Sequence, residues 1–144
     1  MFKHILVAVD GSECSLRALD FAAKLAQEQH AELNVCTIVD ITRAASSMTF
    51  ASPDLVQQWI DALNADASKE NDAAVQRARA AGGSVQGVVE DAFPPDGILA
   101  AAKKCDADLI VVGSHGRTGI RRALIGSVAE SVARIVQMPV LIVR

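Results

Sequence analysis

The segment from Gly113 to Ser127 combines glycines, cationic side chains and the start of a predicted helix. Gly113 and Gly116 let the backbone adopt unusual angles or approach a ligand closely. Gly126 and Ser127 open a helical pattern, and the first N–H groups of a helix have no partner within it and attract anions. The cationic candidates in the same stretch are His115, Arg117, Arg121 and Arg122. This combination predicts a site for a diphosphate or triphosphate group.

A second polar turn, Asp10-Gly11-Ser12, follows the first apolar run directly. Two interpretations of Asp10 stay open: its carboxylate closes an Asx turn with Ser12, or it contacts a ligand. Ser127 has two interpretations as well, a capping box with Glu130 or a contact with phosphate. Both positions are therefore candidates for a binding site, and both also have a purely local explanation.

Two common nucleotide-binding motifs are absent from the sequence. The chain has no G-x-x-x-x-G-K-[ST] string, which argues against a P-loop. The first apolar run is followed by Asp10-Gly11-Ser12 and not by G-x-G-x-x-G, which argues against a dinucleotide-binding turn. Hydride transfer with NAD and ordinary P-loop hydrolysis are therefore disfavoured.

Short apolar runs alternate with helical patterns along the chain. The runs are Ile5–Val9, Leu33–Val39, Val85–Val89, Leu109–Val112 and Val140–Val143. Continuous runs are typical of strands buried on both faces, whereas the second run alternates more and predicts a less enclosed strand. The β-α-β-α-β-α-β-α-β order predicts an α/β fold, a five-stranded parallel doubly wound sheet with about four helices, in one domain over 1–144. Ligands of such sheets bind beyond the carboxyl ends of the strands, where the strand order reverses.

Composition and charge narrow the classes of partner. The chain has 144 residues, a formal net charge of −3 and 3% aromatic residues. Nucleic-acid binders normally carry a basic excess and stacking aromatics, so we expect no nucleic-acid partner. We expect no membrane span, because no run of about 18 apolar residues exists, and the three separated cysteines suit reduced thiols in the cytoplasm. The scattered histidines predict no metal site built from protein side chains.

Three parts of the chain resemble the universal stress protein family. Gly113-x-x-Gly116, nine residues and then Gly126-Ser127 match the G-2x-G-9x-G-[S/T] signature of its ATP-binding members. The segments from Lys3 to Ser12 and from Pro139 to Val143 resemble the family's first and last strands. The resemblance covers essentially the whole chain and implies a Rossmann-like domain that binds ATP.

The resemblance also implies individual roles. An aspartate in the position of Asp10 contacts the ribose or adenine side, and the backbone near Ile38 and Val39 reaches the adenine edge. The positions that line the ribose and phosphates are Gly113, His115, Gly116, Gly126 and Ser127, and Val128 supplies the next N–H group of the helix. The family implies a homodimer through the last strand, Val140–Val143. An apolar edge strand left unpaired is an aggregation risk, which agrees with this expectation.

The chain departs from the family at Ala92–Pro95, where many relatives have a Gly-x-Pro turn, so the shape of this loop is not predicted. The shape of the long connection Asp40–Pro53 is not predicted either.

We therefore expect a cytoplasmic, homodimeric regulatory or stress-response protein that binds ATP, ADP or AMP, with Mg²⁺ as a candidate ion on the phosphates. Two alternatives stay open: a slow ATP hydrolase or phosphoryl or nucleotidyl transferase, and an interaction module without a nucleotide. His115 fits a phosphate neighbour better than a catalytic base, so at most weak ATP hydrolysis is expected. Arg121 and Arg122 either contact phosphate or form a solvated loop face. With no Tyr and one Trp in the chain, aliphatic side chains and backbone are expected to hold adenine.

Overall fold

The computed structural model describes residues 1–116 and 124–144 and contains the predicted parallel sheet. The strands are β1 (His4–Ala8), β2 (Glu32–Val39), β3 (Val85–Asp91), β4 (Leu109–Gly113) and β5 (Val140–Val143). The helices in the described residues are α1 (Glu13–Gln29), α2 (Ile41–Ser47), α3 (Pro53–Arg79), α4 (Pro94–Lys104) and α5 (Ser127–Ile135). The doubly wound α/β fold is confirmed, and the segment between β2 and α3 contains the short additional helix α2.

The strand order brings two loops side by side. The order across the sheet is β3-β2-β1-β4-β5, and all neighbouring strands are parallel. From β1 the chain moves outward through β2 to β3, then crosses back and adds β4 and β5 on the other side of β1. The direction of winding therefore reverses between β1 and β4, whose carboxyl ends lead to Asp10 and Ser114. A crevice for a ligand forms at such a switch point.

Aliphatic side chains fill both faces of the sheet. On one face α1 and α3 pack over Ile5 and Val7, which are fully buried. On the other face α4 and α5 pack over Leu6 and Ile110, which are also fully buried. Successive residues of β1 point to opposite faces, and burial on both explains why this strand is a continuous apolar run. Of the helices described, none is long and apolar enough to cross a membrane.

Strand β2 is more enclosed than its alternating pattern predicts, so that expectation is wrong. Asn34 and Thr37 are only 3% and 4% exposed, because β2 lies between β1 and β3 and is covered by helices. Asn71 of α3 donates from Nδ2 to the carbonyl of Val35 at 2.9 Å and to Oγ1 of Thr37 at 3.0 Å. The polar residues of β2 therefore mark hydrogen bonds inside the protein and not a solvent face.

Candidate functional site

The turn after β1 fixes the carboxylate of Asp10. Its Oδ1 accepts a hydrogen bond from the N–H of Ser12 at 2.9 Å, which closes an Asx turn. Gly11 supports this turn with a φ of +80°, and Ser12 caps α1 because its Oγ accepts from the N–H of Ser15 at 3.2 Å. A Cβ atom at Gly116 would lie 2.8 Å from Asp10 Oδ2. The turn thus holds the Asp10 carboxylate beside the loop after β4.

The loop after β4 is joined to both neighbouring helix starts. Ser114 is 1% exposed, and its Oγ lies 2.9 Å from Nδ1 of His115. The carbonyl of His115 accepts a hydrogen bond from Oγ of Ser12 at 3.4 Å, and the carbonyl of Ser114 accepts one from the N–H of Gly126 at 2.7 Å. These contacts place the start of α1, the loop after β4 and the start of α5 around one crevice.

The N-terminus of α5 lies at this crevice without a side-chain cap. Gly126 is the N-cap residue, with φ −64° and ψ 153°, and as a glycine it has no side chain that could cap the first turn. The capping-box interpretation of Ser127 is wrong, because that motif needs serine at the N-cap position and Ser127 is one residue further on. Glu130 pairs with Arg134 instead, at 2.8 Å. The first N–H groups of α5 therefore have no partner within the helix and can donate to an anion.

Aliphatic side chains give the crevice a second kind of surface. Ile38 at the end of β2, Val112 of β4 and Ile98 of α4 line it, together with Pro94. Ile98 is only 2% exposed and belongs to the core on that face of the sheet. An apolar wall beside polar donors suits a ligand with a flat ring and an anionic group.

Together these segments line a cavity of about 610 Å³. Small-molecule sites typically measure roughly 300–1,000 Å³. The predicted site residues that line it are Asp10, Ile38, Gly113, His115, Gly116, Gly126, Ser127 and Val128. The remaining predicted residue, Val39, is 5% exposed and does not line the cavity, and its carbonyl accepts a hydrogen bond from the N–H of Ala92 at 3.1 Å. The structure thus brings these positions together, and their contacts with a ligand stay a prediction.

Sequence reasoning missed the contribution of α4 and of the residues just before α5. Pro94, Ile98, Leu124 and Ile125 all line the cavity. The signal for Pro94 was its position directly after β3, because the carboxyl ends of parallel strands share one edge of the sheet. Leu124 and Ile125 are 63% and 46% exposed, and apolar side chains left exposed beside a cavity are typical of ligand or partner contacts.

Few of the described side chains at the cavity carry charge. Asp10 and His115 are the titratable groups among the lining residues that the structure describes. The predicted cations Arg117, Arg121 and Arg122 lie outside the described residues. In residues 1–116 and 124–144 no group of three or more His, Cys, Asp or Glu side chains could hold a metal ion. Among the described groups, backbone N–H donors are therefore the main attraction for an anion.

The cysteines are free thiols and differ in their surroundings. Cys36 of β2 is fully buried, and burial raises the pKa of its thiol to about 12, so it stays protonated at neutral pH. Burial also raises the pKa of Cys105. Cys14 lies in the first turn of α1, and its Sγ accepts a hydrogen bond from Nη2 of Arg17 at 3.0 Å. A protonated, buried thiol such as Cys36 is unreactive.

The whole chain, residues 1–144, matches the model of the universal stress protein family. The chain belongs to this family. It is similar to the universal stress protein YxiE of Bacillus subtilis, with 36% identity over 151 residues that cover 100% of both chains. Among solved structures it is similar to the hypothetical protein MJ0577, with a TM-score of 0.86 and 26% identity over 99% of this chain and 96% of that one. The resemblance inferred from the glycine signature is confirmed.

Two similar universal stress proteins have been solved with adenine nucleotides. One, in complex with cAMP, is 31% identical with a TM-score of 0.65, and the match covers 99% of this chain and 97% of that one. The other, from Archaeoglobus fulgidus in complex with dAMP, is 25% identical with a TM-score of 0.70, covering 99% of this chain and 98% of that one. Relatives of this universal stress protein therefore bind ligands with an adenine ring and a phosphate.

The first and last glycines of the universal stress protein signature lie where a side chain would meet the protein itself. A Cβ atom at Gly113 would lie 2.8 Å from the backbone carbonyl carbon of Cys14. A Cβ atom at Gly126 would lie 3.0 Å from the carbonyl oxygen of Ser114. Both glycines therefore allow the chain segments around the cavity to pack closely against each other, and this requirement holds even without a ligand.

Proposed function

We propose that this universal stress protein is a regulatory, stress-response protein of the cytoplasm that binds an adenine nucleotide in the 610 Å³ cavity. The observation that carries the proposal is the convergence of the uncapped α5 N-terminus, the Asp10 carboxylate and an aliphatic wall on one cavity. The related complexes with cAMP and dAMP support an adenine nucleotide as the ligand class. The free thiols of Cys14, Cys36 and Cys105 suit the cytoplasm.

Each part of the nucleotide has a complementary surface in this proposal. The phosphates accept hydrogen bonds from the N–H groups of Ser127 and Val128, where the helix dipole also favours negative charge. Oδ2 of Asp10 accepts from a ribose hydroxyl. The adenine ring packs on Ile38 and Ile98. Mg²⁺ joins the complex through the phosphate oxygens, since these are the hard ligands that it prefers.

ATP, ADP, AMP and cAMP are each expected to raise the thermal unfolding midpoint of the protein. A ligand at a hundredfold excess over its dissociation constant stabilises the folded state by roughly 2.7 kcal/mol. Differential scanning fluorimetry at 1 mM nucleotide, with and without Mg²⁺, measures this effect. GTP is the matched control for the base, because it carries the same phosphates. The proposal is wrong if none of the four adenine nucleotides shifts the midpoint.

We also propose that the protein forms a homodimer through β5, which is an edge strand of the sheet. The carbonyls of Pro139 and Val143 accept hydrogen bonds from β4 and the residue after it. Residues alternate in direction along a strand, so the N–H groups of Val140 and Ile142 point away from β4. All four residues of β5 are apolar and half-buried. Such an edge favours pairing with a second copy of the same strand.

The helices α1 and α5 contact β5, and both carry exposed apolar side chains. Ile135, the last residue of α5, is 44% exposed. On the other face, Nε of Arg17 donates to the carbonyl of Arg144 at 3.0 Å, which joins α1 to the end of β5. Phe21 follows Arg17 by one helical turn and is 47% exposed. Burial of these side chains at the interface would add to the strand pairing.

Replacing Ile142 with proline is expected to convert the dimer into a folded monomer. Proline removes the outward-facing N–H group that pairs with the second copy, whereas the hydrogen bonds between β4 and β5 do not use this donor. Analytical ultracentrifugation gives the mass, and circular dichroism checks the fold. Ile142→Val, which keeps the N–H group, is the matched control and stays a dimer. A monomeric wild-type protein, or a dimeric Ile142→Pro variant, would contradict pairing through β5.

A further inference from the structure

Gly97, in the first turns of α4, leaves space that Ile38 occupies. A Cβ atom at Gly97 would lie 2.7 Å from Cδ1 and 3.2 Å from Cγ2 of Ile38. Carbon atoms in van der Waals contact are about 3.5–4.0 Å apart, so an alanine here would displace the isoleucine. The helix itself does not need glycine, because Gly97 has no left-handed φ and its N–H donates to the carbonyl of Phe93 at 3.0 Å. A Cβ at Gly97 would also lie 3.2 Å from Cβ of Ala92, but the shortest contact is with Ile38, so the missing side chain chiefly serves the packing of Ile38.

The direction in which Ile38 can move is set by its surroundings. The residues packed beside it on this face of the sheet include Cys36, Ile98 and Ala101, which are 0%, 2% and 0% exposed. A core of this kind is close-packed and leaves no room for a displaced methyl group. Ile38 is itself only half-buried and lines the cavity. A side chain pushed away from α4 therefore moves into the cavity.

We infer that Gly97 is a positioning residue that sets the width of the adenine-binding part of the cavity through Ile38. The inference rests on the proposed nucleotide site, in which the ring packs on Ile38. With glycine at position 97, the side chain of Ile38 packs against α4, and the space beside it is open for the base. A larger residue at 97 would narrow that space while leaving the α5 N-terminus unchanged. Position 97 therefore acts on binding of the base and not on binding of the phosphates.

Gly97→Ala is expected to weaken ATP binding by about tenfold, because overpacking of this size opposes entry of the ring. Binding of inorganic tripolyphosphate, which has no base, is expected to stay the same. Isothermal titration calorimetry measures both ligands. The carbon-13 shift of the Ile38 Cδ1 methyl group, recorded without any ligand, reports directly whether the side chain has moved.

A second substitution keeps the test decisive. Ile38→Val removes Cδ1, the atom closest to a new Cβ at position 97. In the Ile38→Val background the 2.7 Å contact is absent and only contacts of 3.2 Å remain, so Gly97→Ala is expected to lower ATP affinity by much less than tenfold. A tenfold loss of ATP affinity that persists in this background would overturn the inference.

The remaining outcomes separate the inference from the function that it assumes. If the wild-type protein binds no adenine nucleotide, the proposed function is wrong, and the Ile38 methyl shift alone still tests the contact with Gly97. If the wild type binds ATP and Gly97→Ala binds it equally well, the proposed function stands and the inference is wrong. An equal loss of ATP and tripolyphosphate binding would also overturn it, because the effect would then not be specific to the base.

Discussion

Replacing Ser127 with proline is expected to lower nucleotide affinity by about 10- to 100-fold while α5 stays intact. Ser127 is the first helical residue, a position where proline is favoured because the N–H group has no partner within the helix. Loss of that donor removes one hydrogen bond to a charged phosphate, worth about 1.5–3 kcal/mol. Isothermal titration calorimetry with ATP measures the change.

The backbone at this position is already suited to proline. The preceding residue, Gly126, has ψ 153°, within the extended region that a following proline requires. Two other helices of the chain begin this way: α3 with Pro53 after Ser52 at ψ 152°, and α4 with Pro94 after Phe93 at ψ 131°. A variant with an unchanged helix and one missing donor is therefore a direct test of the anion site.

Ser127→Ala is the matched control for this substitution. It removes the hydroxyl group and keeps the N–H group, so only a small loss of affinity is expected. Circular dichroism and the thermal midpoint of the nucleotide-free variants check that both fold like the wild type. Equal affinities of the proline and alanine variants would mean that the N–H group of Ser127 does not hold the phosphate.

The elements of the fold could be predicted because their signals are local. Each strand is an apolar run that ends where polar residues begin, and serine, a residue favoured at the N-cap, stands at position 12 and caps α1. The strand order could not be predicted in the same way, because it depends on which strands pair over long distances. The wrong prediction for β2 has this cause, since Thr37 is covered by Asn71 of α3, a residue far away in the sequence.

In the candidate site, too, local signals could be predicted from the sequence and long-range contacts could not. The signature residues Gly113, Gly116 and Gly126 are readable from their spacing, and they do meet at the switch point of the sheet. The helix α5 begins at Gly126 and Ser127 as predicted, and only the capping-box interpretation of Ser127 placed the N-cap one residue too late. The contact of Gly97 with Ile38 joins two elements that are distant in sequence, and no local pattern indicates it.

Gly113→Ala is expected to lower the free energy of unfolding by about 3 kcal/mol in nucleotide-free protein. The new Cβ would lie 2.8 Å from the carbonyl carbon of Cys14 and 2.9 Å from the backbone nitrogen of Ser15. These are backbone atoms of the first turn of α1, held in place by the cap between Ser12 and Ser15. The clash can therefore be relieved only by moving α1 away from β4. Urea unfolding followed by circular dichroism measures the loss.

Gly97→Ala is the matched control, because its new Cβ would also come too close, at 2.7 Å, but to the end of the Ile38 side chain. The Ile38 side chain can move into the cavity, and alanine is favoured over glycine within a helix by up to about 1 kcal/mol, so little net change in stability is expected. A large effect at Gly113 and a small one at Gly97 would show that this signature glycine is required for folding even without a ligand. If Gly113→Ala instead unfolds at the wild-type urea concentration and only ATP binding is lost, the glycine serves the nucleotide and not the packing of α1.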